Sequence, residues 1–268
     1  MSDPTPTTAP STRGTSTTVR THDGLRLAGT LLAPRAEPEQ AVLFLHGEGG
    51  TREQDGFFAP LADALAAQGV ASLRFDLPGH GESEGRQEEL SLSMLLNVIG
   101  SGLDHLRERV GTTRPALVAT GFTGGVAAGF AARRGAEVSR LVLFNPLIDY
   151  KEHFVDARRE WSSDYLDEPA GRELLATGRL AYTPSFVLGR AMLNEVFWLQ
   201  PRGVLDVIAA PTLIVHGAGP TTVPVESSRA ADKALTCAHR LVEIDADRSG
   251  EWRTPAAEAA TEWILGDR

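Results

Sequence analysis

Cysteine is almost missing from this chain: Cys237 is the only one in 268 residues. An internal disulfide is thereby excluded, and so is a cysteine metal cluster. Lysine is nearly as scarce, with Lys151 and Lys233 standing alone among 26 basic residues. Acidic residues number 35, and the net charge of −9 argues against a nucleic-acid partner, because phosphate recognition needs a basic patch. No apolar run approaches the length of a membrane span, and the opening MSDPTPTTAP has no signal-peptide core. A cytoplasmic protein with no membrane partner is the expectation. No metal-ligand cluster and no phosphate loop is visible, so no cofactor or metal is expected, and the partner should be a small-molecule substrate.

Hydrophobic residues make up 42% and charged residues 23%, ordinary for a globular protein. The length suits a single α/β domain with an insertion. Residues 1–16 are rich in Pro, Ser and Thr and read as a disordered tail. From Thr17 to Ala33 apolar residues alternate around His22-Asp23-Gly24, and Asp-Gly between two strand-like runs predicts an antiparallel hairpin of edge strands. Ala41–Leu45, Val70–Phe75, Pro115–Thr120, Leu141–Phe144, Pro211–His216 and Arg240–Ile244 read as short buried strands. Between them Phe57–Gln68, Leu90–Val110, Val126–Arg134, Glu226–Ala234 and Pro255–Leu265 read as helices.

Apolar strands alternating with helices predict a mostly parallel, eight-stranded sheet with helices on both faces. The rhythm breaks at residues 147–210, rich in aromatic and charged side chains and patterned as short helices. That stretch reads as a helical lid inserted into a core formed by residues 17–146 and 211–268.

The stretch around which the chain is organised is RPALVATGFTGGVAAGFAARR, residues 114–134. A strand, a glycine-rich turn and a helix form the setting of a nucleophile elbow, G-x-S-x-G. Aligned on its outer glycines, the pattern is Gly121-Phe122-Thr123-Gly124-Gly125, with threonine where serine is expected. Any glycine-rich turn of a doubly wound sheet looks similar. The motif gains weight from LFLHGEGG, RFDLPGHGES, LVLFNP and PTLIVHG, which surround it in the order the fold needs. With these pieces placed, residues 17 to about 266 resemble the α/β-hydrolase superfamily, in its esterase and serine-aminopeptidase-like branch.

The resemblance implies a serine at the elbow, an acid after the penultimate strand and a histidine after the last one. Here the acid position falls on Pro220 and the histidine position on Arg248, with no histidine beyond it. All three triad positions are therefore expected to be substituted. A threonine at position 123 cannot borrow an N-terminal amine, and a guanidinium is no base. Ordinary serine-hydrolase chemistry is not expected. His46, His80 and His216 occupy turn and strand-end positions that the family uses structurally, and His22, His105 and His239 read as packing or surface residues. His153 follows Asp149 at the start of the insertion, so this pair is a candidate for moving protons.

The same resemblance implies an oxyanion hole made by the backbone amides of Glu48 and Gly124. Backbone donors do not depend on side-chain identity. The Glu48 carboxylate either turns away from that hole or serves as the base. Three functions remain open: a lyase-like enzyme that eliminates a carboxylate, with Arg248 holding a carboxylate and Thr123 giving a hydrogen bond; a non-catalytic binding protein; and an esterase or thioesterase with a relocated triad.

Overall fold

The structure, a computed structural model, describes residues 14–217, 221–245 and 251–266. The expected disordered tail lies almost wholly outside them. Gly14 is the first described residue, and strand β1 (Thr15–Arg20) has begun before the point where the tail was expected to end. β2 (Arg26–Leu32) pairs antiparallel with β1, in register from Thr15 opposite Leu31 to Arg20 opposite Arg26. The turn between them uses Gly24 at φ 97°, where a side chain would be strained. β1 is an edge, but β2 is not: its other side pairs antiparallel with a strand of the central sheet.

The rest of the core follows in order: β3 (Gln40–Leu45), α1 (Phe58–Ala67), β4 (Val70–Phe75), α2 (Leu92–Val110), β5 (Ala116–Thr120), α3 (Gly121–Arg133) and β6 (Leu141–Phe144). The insertion then contributes β7 (Trp161–Ser162), β8 (Tyr165–Leu166), α4 (Glu168–Thr177), β9 (Arg179–Thr183), β10 (Phe186–Gly189) and α5 (Arg190–Trp198). The core resumes with β11 (Thr212–Gly217), α6 (Val225–Ala234), β12 (His239–Ile244) and α7 (Arg253–Leu265). Eight strands form one sheet in the order β1-β2-β4-β3-β5-β6-β11-β12, parallel from β4 onward.

The apolar strands are continuous because both faces of the sheet are covered. Along β3, Leu43 and Leu45 pack with α2 and α3 on one face, while Val42 and Phe44 pack with α1 and α7 on the other. The insertion departs from the expected short helices. Besides α4 and α5 it contains two antiparallel two-stranded sheets, β7-β8 and β9-β10. Polar ties hold it to the core. Gln87 donates to the Ser185 carbonyl (3.1 Å) and accepts from the Val187 amide (3.0 Å), extending the hairpin's ladder with a side-chain amide. The Glu195 carboxylate accepts from the amides of Leu92 and Ser93 at the start of α2, where exposed N–H groups favour an anion.

Candidate active site

The carboxyl ends of the parallel strands carry the loops in which the expected residues fall. Between β5 and α3 the chain turns without a linking residue, and the residue at the corner is Gly121, with φ 54°. In a nucleophile elbow the reacting side chain stands on this strained corner. Thr123, expected there, lies two residues further on, in the first turn of α3. It is 1% exposed. Its hydroxyl is 2.9, 3.0 and 3.2 Å from the carbonyl oxygens of Thr120, His46 and Leu45. Thr120 and Thr123 also form a reciprocal capping box. Thr123 therefore closes a helix end and ties β3 to α3; it does not face a substrate.

The shift of two residues moves the anion site as well. The residue after the corner is Phe122, and its amide donates to Glu48 Oε2 at 3.2 Å. Gly124 lies deeper in α3, packed on Pro146, so the expected Gly124 donor is replaced by Phe122. The Glu48 carboxylate also accepts from its own amide. The two backbone donors of the hole thus hold the chain's own carboxylate. Burial raises the Glu48 pKa above its ordinary value, and these two hydrogen bonds only partly oppose the rise.

Tyr150 and Tyr182 flank this carboxylate. Tyr150 is fully buried and donates its hydroxyl to the Phe122 carbonyl at 2.8 Å; burial and then the Glu48 charge hold it un-ionised. Tyr182 is pushed up to about 12 by burial and, second, by Glu48. Its hydroxyl pairs with Nε2 of His153, and the Arg158 guanidinium lies over its ring, 4.9 Å from the centroid. His153 is pushed down to about 4, mainly by burial and then by Arg158, so its ring is neutral.

The expected Asp149/His153 pair does not form. The Asp149 carboxylate is bound to Arg202 at 2.7 Å, and only its backbone carbonyl meets the His153 amide, at 3.2 Å. Position 248 lies outside the described residues, as does Pro220. His46 and His80 are tied to backbone groups: His46 accepts from the Leu77 amide (2.9 Å), and His80 from the Gly49 amide (3.3 Å). Neither is positioned to act as a base. Gly121, Phe122, Tyr150 and Tyr182 are the residues that sequence reasoning did not assign to the site. For Gly121 and Phe122 a signal existed, since Ala119-Thr120-Gly121-Phe122-Thr123 also has small residues flanking a central position.

Aromatic packing closes the region. Phe122 contacts Phe154 and Phe186, with ring centroids 5.7 and 5.9 Å apart, and Phe186 also meets His80 at 5.9 Å. The tip of the β9-β10 hairpin leans on the glutamate loop: a Cβ on Gly49 would come 2.4 Å from Ser185 Oγ. A cavity of about 160 Å³ borders Tyr182, with Phe154, Arg158, Trp161, Leu188 and Leu193 among its walls. Among the described residues no group of three or more His, Cys, Asp or Glu side chains could hold a metal ion. No helix among them is long and apolar enough to cross a membrane.

Comparison with solved structures agrees with this fold. Est1E from Butyrivibrio proteoclasticus, seen with ferulic acid bound, superposes with a TM-score of 0.77 at 23% identity, covering 93% of this chain and 98% of that one. The chain has the α/β-hydrolase fold. A dienelactone hydrolase from Anabaena variabilis shares this α/β-hydrolase fold with a TM-score of 0.64 at 19% identity, over 94% and 97% of the two chains. A protein family described as serine aminopeptidase, S33 matches residues 36–168, which supports the α/β-hydrolase superfamily. Among curated proteins, the dihydrolipoyllysine-residue acetyltransferase component of the acetoin cleaving system of Cupriavidus necator is 26% identical over 200 residues, 74% of this chain. The chain spans about half the length of that relative, since the match covers 49% of it.

Proposed function

We propose that this α/β-hydrolase-fold chain is an enzyme that moves protons on a small acyl- or ester-bearing metabolite without forming an acyl-enzyme, eliminating a carboxylate. The observation that carries this reading is Gly121 at the elbow corner: it has no side chain to attack a carbonyl, and a carboxylate stands beside it. A base is stronger when burial raises its pKa, so Glu48 suits proton abstraction next to a carbonyl. In the step proposed, Glu48 takes that proton, the C–H electron pair becomes a C=C bond, and the C–O bond breaks with its electrons leaving on the carboxylate. Tyr182, held by neutral His153, would donate a hydrogen bond to the carbonyl as charge develops. The insertion over residues 147–210 would act as the lid that keeps water out, and Arg248 remains the proposed partner of a carboxylate. The similar proteins include one seen with ferulic acid and a dienelactone hydrolase, which supports an acid or ester as the substrate class.

The test is a panel of β-acyloxy carbonyl compounds assayed for release of the carboxylate together with formation of the alkene. Turnover is expected in the parent, with a loss of roughly two orders of magnitude or more in Glu48→Gln, as for a lost general base. Labelling by a fluorophosphonate probe, or fast nitrophenyl-ester hydrolysis through an acyl-enzyme, would sink the proposal. A second reading, a binding protein without turnover, is favoured by the occupation of both amides by Glu48. It stands if a metabolite binds and is never converted.

A further inference from the structure

The Glu48 carboxylate occupies a place that a ligand atom could take. Its partners are the Phe122 amide at 3.2 Å and its own amide. The neighbouring first-turn amide, that of Thr123, is already bonded to the Thr120 side chain through the capping box. The Phe122 amide is thus a first-turn donor outside the capping box, at the start of the thirteen-residue helix α3, where the helix dipole favours negative charge. An anion is present on it, and that anion belongs to the chain.

The opposite side of the carboxylate is bounded by Gly121. A Cβ on this residue would stand 2.9 Å from Glu48 Oε2, and the next nearest atoms outside its own helix turn and chain neighbours, at 3.8 Å, are also of the Glu48 carboxylate. The crowded atom is the far end of a flexible side chain, so a side chain at position 121 would expel the carboxylate rather than the backbone. Glu48 and Gly121 both keep some solvent exposure, although burial is enough to raise the pKa of the Glu48 carboxyl.

We propose that Glu48 is a displaceable internal anion, seated on a site that otherwise takes a small carboxylate, and that glycine at position 121 is what lets it sit there. In this arrangement the external carboxylate and the Glu48 side chain compete for the same two amides. The inference deepens the elimination reading, because Glu48 reaches a substrate proton only after it swings off the amide pair as the substrate's or product's oxygen enters. Binding is read without turnover, so failure of either idea leaves the other to its own test.

The experiment is backbone-amide NMR of the full chain titrated with sodium acetate, with sodium chloride at matched ionic strength as control. The parent should show a saturable shift at Phe122 only at an acetate concentration at least about tenfold higher than the variants need, since its own carboxylate must first be displaced. Glu48→Ala should show a saturable shift of the Phe122 amide with acetate and none with chloride. Gly121→Ala, which keeps Glu48 but crowds it out, should show the same response. If neither variant responds, if the parent responds at the same acetate concentration as they do, or if the parent never responds, the displaceable anion is refuted. A response in Glu48→Ala without one in a folded Gly121→Ala overturns the role given to Gly121.

Discussion

Asp76 holds Arg52 from inside the protein. Its Oδ1 accepts from the Arg52 amide at 2.7 Å, and its Oδ2 pairs with the Arg52 guanidinium at 2.5 Å. Oδ2 also accepts from the Glu82 amide at 3.0 Å. Asp76 is 1% exposed, so one carboxylate joins the loop after β3, which carries Glu48, to the turn after β4. Arg52 also pairs with Glu82, so its charge keeps a partner; Asp76→Ala instead strands the buried amides that bond the carboxylate and should lose about 1 to 3 kcal/mol in urea unfolding. Arg52→Ala should not add fully to it in the double variant. Additive losses would mean that the two side chains act independently.

Thr123 is predicted to matter for stability rather than chemistry. Thr123→Val keeps the shape and removes a hydroxyl whose one proton is shared among the nearby Thr120, His46 and Leu45 carbonyls. A cost of about 1 to 3 kcal/mol in equilibrium unfolding is expected. Any turnover found for the parent should survive at a temperature where the variant is folded.

Gly125 is squeezed between α3 and the start of the insertion. A Cβ there would lie 2.4 Å from both the Leu147 carbonyl and the Tyr150 hydroxyl. Alanine is the better helix former, yet Gly125→Ala should destabilise by about 1 to 3 kcal/mol through overpacking. A thermal melt at or above that of the parent would contradict the packing described.

His46 supplies a pH dependence. The Leu77 amide donates to Nε2, which places the ring proton on Nδ1, toward the Gly47 carbonyl (2.8 Å). Burial, and then the neighbouring His80, push His46 from 6.5 down to about 4. Its folded pKa lies below the unfolded one, so the unfolded chain binds more protons in the window between them. Stability should be fully present above about pH 6.5 and fall as the pH drops toward 4, by up to about 3 kcal/mol from this residue. His46→Gln should flatten the profile of unfolding free energy in that window.

Glu48 acts with the opposite sign. Its folded pKa is raised, so stability is lost as the pH climbs from the ordinary value of 4.5 through the raised one. Glu48→Gln keeps an oxygen for the Phe122 amide and removes the buried charge. At neutral pH the variant should therefore melt higher than the parent, and the gap should close in acid. A lower melting temperature at neutral pH would show that the carboxylate is net stabilising where it sits.

Much of the architecture is legible in the sequence. The apolar run Val70–Phe75 has the same limits as β4, and β5, β6, β12 and the main helices agree within a residue or two, apart from the start of α3. A strand buried on both faces must be apolar at every position, and a solvent-facing segment is not under that demand. The insertion is less legible, because β7 to β10 are strands of two to five residues held by Gln87 and by aromatic packing, with no periodicity long enough to see.

The order of strands and helices, the glycine-rich corner and the glutamate in HGEGG are thus determined by the sequence alone. Which residue stands on the corner is not. Gly121-x-Thr123-x-Gly125 and Ala119-x-Gly121-x-Thr123 satisfy the same spacing rule, and local propensity does not separate them. The positive φ at Gly121 and the burial of Thr123 decide between them. Both depend on where β5 ends against β3 and β6, a matter of sheet register set by contacts distant in sequence. Likewise nothing in HGEGG says where the Glu48 side chain points. It turns onto the Phe122 amide, 74 positions away, because α3 begins there and glycine leaves the space.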